Sequence, residues 1–331
     1  MPERAPPVVV VTGASAGVGR ATAVAFAQSG YNVGLIARGR DGLDGARRDV
    51  ESAGGHALVL PADVADPDEV FRAADRIAGE WGNIDVWVND AMATIFSPVH
   101  EITPKEFRRV TEVTYLGQVY GTMAALKHMR RRNAGTIVQV GSALSYRAIP
   151  LQSAYCGAKF AIRGFTDALR SELKHDSSGI RLTMVQLPAV NTPQFDWARN
   201  RLPKCLQPVP PIYQPEAIAR EIVRAARDAP RELWIGRPAL KAIIGTMLLP
   251  RLGDRILASE GYSGQMTTEP SRPDRPDNLF QPVAGDPGAH GRFDDRATRT
   301  VIGFNPIWLR VGAACALLAI IGGAAVVGHS L

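Results

Sequence analysis

An α/β fold with a doubly wound parallel sheet is predicted by two observations. Short β-branched or apolar runs alternate with amphipathic stretches from Val8 to about Leu187, and a glycine-rich turn joins the first run to the first amphipathic stretch. Strict alternation of strand and helix covers both faces of a parallel sheet, so its strands read as continuous apolar runs. Six such runs occur: VVVVTG, NVGLIAR, ALVLPADV, IDVWVND, TIVQVGS and RLTMVQLP.

The helices between them carry their own punctuation. RATAVAFAQSG follows the first turn, with Gly30 placed to stop it. PDEVFRAADRIAGEWG has Asp66 at its cap position. A helical stretch from about Leu116 ends in Arg130, Arg131 and Arg132, where positive charge complements the helix dipole. Pro215 opens PEAIAREIVRAARD at a first-turn position, and ELWIG serves as a last strand. The apolar segment 239–258, interrupted by Pro250, is expected to pack on the core or on a second copy, with a membrane surface as the third reading. One domain over residues 1–260 accounts for these elements.

Composition divides the remainder. From Ser263 to about Thr300 the chain is rich in Pro, Gly, Asp and Arg and poor in apolar residues, so residues 261–305 are expected to be a disordered tether. His290, Asp294 and Asp295 there read as a solvated loop, and no metal is expected. Residues 306–331 are expected to be a transmembrane helix, because Val311 to Gly328 is an uncharged run spanning about 27 Å. Arg296, Arg299 and Arg310 precede that run and only His329 follows it. The expectation is therefore a membrane-anchored protein with its main domain in the cytoplasm.

Bulk properties exclude other classes. The formal charge of +6 comes from 38 dispersed Lys and Arg, with no interleaved aromatic stripe, so no nucleic-acid partner is expected. Cys156, Cys205 and Cys315 share neither metal-ligand nor disulfide-framework spacing. MPERAPP lacks the apolar core of a signal peptide.

The turn TGASAGVG, residues 12–19, puts glycines at 13, 17 and 19 where a strand meets a helix. Such a turn allows the backbone to approach a phosphate, and the helix start offers free N–H groups, which is a dinucleotide site in outline. The chain resembles the short-chain dehydrogenase/reductase family over roughly residues 7–237, and the resemblance rests on several spaced motifs. TGASAGVG is similar to that family's cofactor turn, which implies contacts from Gly13, Ser15, Gly17, Val18 and Gly19. ADV at 62–64 stands where the family's adenine-contacting Asp is found, implying Asp63 and Val64. GS at 141–142 and YCGAK at 155–159 match its Ser and Tyr-x-x-x-Lys. LPAVNT at 187–192 resembles its Pro-Gly-x-x-x-Thr loop, with Ala189 for the Gly, implying Pro188 and Thr192 beside the carboxamide. The resemblance implies a Rossmann fold, a nicotinamide cofactor and a homo-oligomer.

Chemistry explains the residue types. Tyr155 and Lys159 at i and i+4 share one helix face, so the ammonium is expected to lower the phenol pKa from its usual value near 10 and make it a general acid or base. Ser142 is placed to hydrogen-bond the substrate oxygen. Lys159 also holds the nicotinamide ribose, as the resemblance implies. The second strand ends in Arg38, with Arg40 close by and no acid before Asp41, so NADP is expected over NAD.

Two departures stand out. The family's Asn-Asn-Ala-Gly is here Asn89, Asp90, Ala91 and Met92; Asn89 keeps a cofactor-binding assignment. Thr114 stands where the family's fourth catalytic residue, an Asn, is expected, and that role is not carried onto it. The function expected is an NADP-dependent oxidoreductase interconverting a carbonyl and a secondary alcohol; the aromatic, Pro-rich stretch from Phe195 to Tyr213 reads either as a substrate lid suited to an apolar ligand or as an ordinary surface loop. A lipophilic substrate follows from the anchor. The alternatives are a membrane-tethered cofactor-binding protein without turnover, and an epimerase or dehydratase of the same family.

Overall fold

The computed structural model describes residues 5–272, 274–307 and 311–312. Along the chain run β1 (Val8–Thr12), α1 (Gly17–Gln28), β2 (Asn32–Ala37), α2 (Arg40–Ser52), β3 (Ala57–Pro61), α3 (Pro67–Trp81) and β4 (Val86–Asn89). They are followed by β5 (Ile95–Phe96), α4 (Pro104–Thr111), α5 (Gly117–Met129), β6 (Gly135–Ser142), α6 (Ser153–His175) and β7 (Ile180–Leu187). The later elements are α7 (Gln194–Trp197), β8 (Arg199–Asn200), β9 (Lys204–Leu206), β10 (Ile212–Tyr213), α8 (Pro215–Asp228) and β11 (Glu232–Ile235). Two helices, α9 (Gly236–Leu248) and α10 (Pro250–Glu260), then lead to β12 (Met266–Pro270), β13 (Ala297–Thr298) and β14 (Gly303–Phe304).

The fold is Rossmann-like, with the central sheet ordered β14-β11-β7-β6-β4-β1-β2-β3. All its neighbours are parallel except β14, which runs antiparallel to β11. Alternation along β1 splits the core: Val9 and Val11 face the layer of α1, α2 and α8, while Val8 and Val10 face that of α3 and α5. The strand order reverses between β1 and β4, and Thr12 pairs with both Ile36 and Asn89 at that point. A crevice at the carboxyl ends of these strands is where doubly wound sheets bind ligands.

Local signals in the sequence account for the helix ends. The Asp66 carboxylate accepts from the Asp68 and Glu69 N–H groups at the start of α3. Gly30 adopts φ +80° after α1, a region closed to most side chains. The helical stretch expected from Leu116 begins earlier, as a π-helical turn over Glu112–Leu116 that continues α4 into α5. In segment 239–258, α9 packs Ala239 and Ile243 inward, whereas α10 buries no residue and leaves Leu252 and Ile256 exposed.

The tether expectation fails. The described residues of 263–304 fold onto the domain: β12 pairs with β9, β13 with β10, and β14 joins the central sheet. Apolar content alone did not reveal this, because a few anchors suffice. Leu279 is fully buried in the core cluster that holds α3 and α5, and Phe293 packs edge-on against Phe195. Each such side chain contributes about 1.5–3 kcal/mol when buried. Arginine bonds to the segment's carbonyls and ion pairs to Asp286 add to the attachment. Most of the expected transmembrane segment, 306–331, lies outside the described residues; among those described, no helix is long and apolar enough to cross a membrane.

Candidate active site

The glycine turn shapes one end of the site. Gly13 has φ +75°, and a Cβ there would lie 2.9 Å from the Ala91 backbone, so the turn needs glycine on two counts. Helix α1, with Ala16 as its N-cap, has no side-chain cap and no acid in its first turn; the Gly17 N–H is taken by Gly288 O, and the N–H groups that follow in the first turn face an anion site without a side-chain competitor. Thr12 Oγ1 accepts from the Asp90 and Ala91 N–H groups, tying β1 to the loop after β4.

The other end is built from β6 and α6. Ser142 closes β6, and its hydroxyl accepts from Leu144 N–H while lying within hydrogen-bond reach of the Tyr155 phenol. Lys159 is only 2% exposed; its ammonium donates to Val140 O at 2.7 Å and stands 5.5 Å from the Tyr155 ring centroid. Ser142, Tyr155, Lys159, Gly13, Ser15, Gly17, Val18, Arg38, Asp63, Val64, Pro188 and Thr192 all line one cavity of about 770 Å³. Gly19 lies just behind its wall, against Gly13 and Asp90. Phe96, Ile149, Trp197, Val209, Ile256 and Leu257 give the same cavity an apolar end.

Electrostatics depart from expectation at the phenol. Burial pushes the Tyr155 pKa up, Cys156 and Asp90 add to the rise, and the bond to Ser142 opposes it. The expected lowering by Lys159 is absent because that ammonium is aimed at Val140 O and is itself desolvated. Burial lowers the Lys159 pKa, with Asp90 pulling it back up; burial raises the Asp90 pKa, with Lys159 and the Gly19 N–H opposing.

Other expected residues sit differently. Asn89 does not reach the cavity: it is fully buried, accepts from Trp87 Nε1 at 2.8 Å, and donates to Thr122 and Gln139. Leaving its amide unpaired in that interior would be costly, so the side chain belongs to the sheet and its cofactor-binding assignment is withdrawn. The Thr114 hydroxyl is closed onto Ala93, donating to its carbonyl at 2.8 Å and accepting from its N–H at 2.9 Å. Asp63 carries an ion pair with Arg109 and still lines the cavity. Arg38 donates to the carbonyls of Asn278, Leu279 and Phe280. His290 is held between Glu216 and Asp294, and no metal-binding group occurs among the described residues.

Sequence reasoning missed the wall contributed by the tail, where Asn278, Pro282, Val283, Gly285 and Pro287 line the cavity. The available signal was the isolated apolar trio Leu279, Phe280 and Phe293 in an otherwise polar stretch.

A glycine turn at the switch point and a Ser, Tyr and Lys at the edge of β6 and α6 thus share one cavity. The chain belongs to the short chain dehydrogenase family, whose model matches residues 7–201. It is 33% identical over 282 residues to the oxidoreductase YxnA of Bacillus subtilis, covering 84% of this chain and 79% of that protein. It is 35% identical over 226 residues to the cis-4-hydroxycyclohexanecarboxylate dehydrogenase of Sinomonas cyclohexanicum, covering 67% and 90%. Among solved structures, an alcohol dehydrogenase from the archaeon Thermococcus sibiricus complexed with 5-hydroxy-NADP aligns with TM-score 0.59 and 28% identity, over 69% of this chain and 95% of that one. The uncapped α1 start and the glycine turn fit the pyrophosphate of such a cofactor.

Proposed function

We propose that the protein reduces a lipophilic ketone to a secondary alcohol with NADPH, and that Ser142, Tyr155 and Lys159 carry the chemistry. The observation that carries this reading is their convergence in the cavity that also holds the glycine turn. The cofactor supplies a hydride. The turn residues Gly13, Ser15, Gly17, Val18 and Gly19 would hold its pyrophosphate, Asp63 and Val64 its adenine, and Pro188 and Thr192 its carboxamide. Arg38 would meet the 2′-phosphate: the strap carbonyls around it orient the guanidinium without neutralising it.

Ser142 donates to the carbonyl oxygen of the substrate and polarises it. A phenol raised by burial stays protonated at neutral pH, which is the form that donates, so Tyr155 delivers its proton to the same oxygen. Lys159, beside the phenol, would hold the nicotinamide ribose.

Three observations support the lipophilic and membrane readings. The substrate end of the cavity is apolar and is partly walled by segment 207–210 of the expected lid. Met247, Leu248, Leu249, Leu252 and Ile256 stand exposed on α9, α10 and their junction, and Ile256 reaches the cavity. The uncharged run 311–328 would anchor the chain, with the catalytic domain on the cytoplasmic side. Pairing with a second copy is supported by Phe107, Met123 and Phe160, left exposed on α4, α5 and α6. The relative that acts on a hydroxycyclohexane suggests alicyclic ketones as first substrates. Comparing kcat/KM for NADPH and NADH with such ketones tests the proposal; a preference for NADH removes the role given to Arg38.

A further inference from the structure

The tail crosses the cavity from one end to the other. At the adenine end, Asn278 to Phe280 offer three carbonyls to Arg38, and Leu279 O also accepts from Arg109 Nε at 3.0 Å. Further on, Gly285 N–H donates to Asp41 at 3.0 Å, and the Asp286 carboxylate pairs with the buried Arg20 of α1 and with Arg48 of α2. Gly288 O accepts from Gly17 N–H, in the phosphate turn itself, at 3.2 Å. At the carboxamide end, Phe293 N–H donates to Asn191, whose amide donates to Asp294 at 2.8 Å, next to Thr192. Most of the fixed points, Arg38, Gly17 and Asn191 among them, are residues of the cavity or their immediate neighbours.

We propose that residues 278–294 form a strap that completes the nicotinamide dinucleotide site and sets how fast the cofactor leaves. The inference rests on the reading of the cavity as that site. A dinucleotide lying between the glycine turn and Thr192 has the strap as its outer wall, and its departure requires the contacts at Arg38, Arg20 and Gly17 to part. The strap's middle, 284–286, is exposed between the buried anchors Leu279 and Phe293 and is held only by polar bonds to Asp41, Arg20 and Arg48, so it is the part of the wall that opens most readily. The adjustable quantity is the dissociation rate rather than the association rate.

The test is a stopped-flow displacement of NADPH from the full-length chain and from Asp286→Ala. That substitution removes the pairs to Arg20 and Arg48 and the bond from Gly288 N–H, and is expected to speed release about tenfold or more, with Kd rising in proportion. Equal release rates overturn the proposal, as does slower release, which would make the strap a competitor of the cofactor. Hydrogen exchange on the unaltered chain guards against a variant that misfolds: NADPH is expected to slow exchange in both 13–19 and 278–294. Protection of 13–19 alone leaves the dinucleotide site standing and removes the strap. Absence of binding by both NADPH and NADH overturns the reading of the cavity and the strap with it.

Discussion

The Lys159 ammonium stands 5.5 Å from the centre of the Tyr155 ring, one helical turn earlier on α6, yet gives its hydrogen bond to Val140 O. The lysine is thus fixed by β6 and charged within reach of the phenol, without a direct bond that would lock the phenol in place. Lys159→Met keeps the stem and removes the charge. It is expected to lower kcat by about 10²–10⁴-fold, as for loss of a positioned acid–base group, while leaving the folded state intact by circular dichroism.

The Asp90 carboxylate acts on that lysine and favours its protonated form. Removing the negative charge in Asp90→Asn disfavours the charged lysine, so the Lys159 pKa falls. The alkaline limb of the pH–kcat/KM profile should move toward acid by about one pH unit. An unmoved limb would show that the two groups do not titrate together.

Glu106 ties α4 to the start of the expected lid. Burial opposes its ionisation, but the Thr103 N–H and the guanidinium groups of Arg199 and Arg201 outweigh burial and hold its pKa at about 2. A depressed carboxyl pKa contributes stability above the unfolded value, near 4.5, and loses it as pH falls toward 2. Glu106→Gln should cost about 1.5–3 kcal/mol at neutral pH, read by urea denaturation, and should flatten the acid dependence in that window.

His290 sits 2.7 Å from both Glu216 and Asp294, at the carboxamide end of the strap. Burial lowers its pKa, but the two acids outweigh it and the net shift is upward. The contribution is therefore present below about 6.5 and lost as pH rises through the higher folded value. The ring is partly exposed, so the effect is expected to stay below about 1 kcal/mol. Proteolysis within 278–294 should quicken as pH rises above about 6.5 through the raised His290 pKa, and His290→Gln should remove that dependence.

Much of this was legible because it is local. Valines in sequence, Asp66 before a proline, and Tyr155 four residues from Lys159 each specify their surroundings over a few residues. What depends on distant partners was not. The lost lowering of the Tyr155 phenol follows from where Lys159 points, and the fate of Asn89 follows from Trp87, Thr122 and Gln139 converging on it. The strap escaped a composition reading because its attachment uses backbone carbonyls and arginines some 240 residues away, such as Arg38 with Phe280, which no window average registers.

The most direct test of the central claim is NADPH oxidation by the full-length chain and by Tyr155→Phe, followed at the nicotinamide absorbance with alicyclic ketones. The account predicts net oxidation by the wild type, a loss of about 10²–10⁴-fold in the variant, and undiminished NADPH binding by both. Turnover that survives Tyr155→Phe, or product formation without net NADPH oxidation, would contradict it; the latter would point instead to a hydride returned within each cycle.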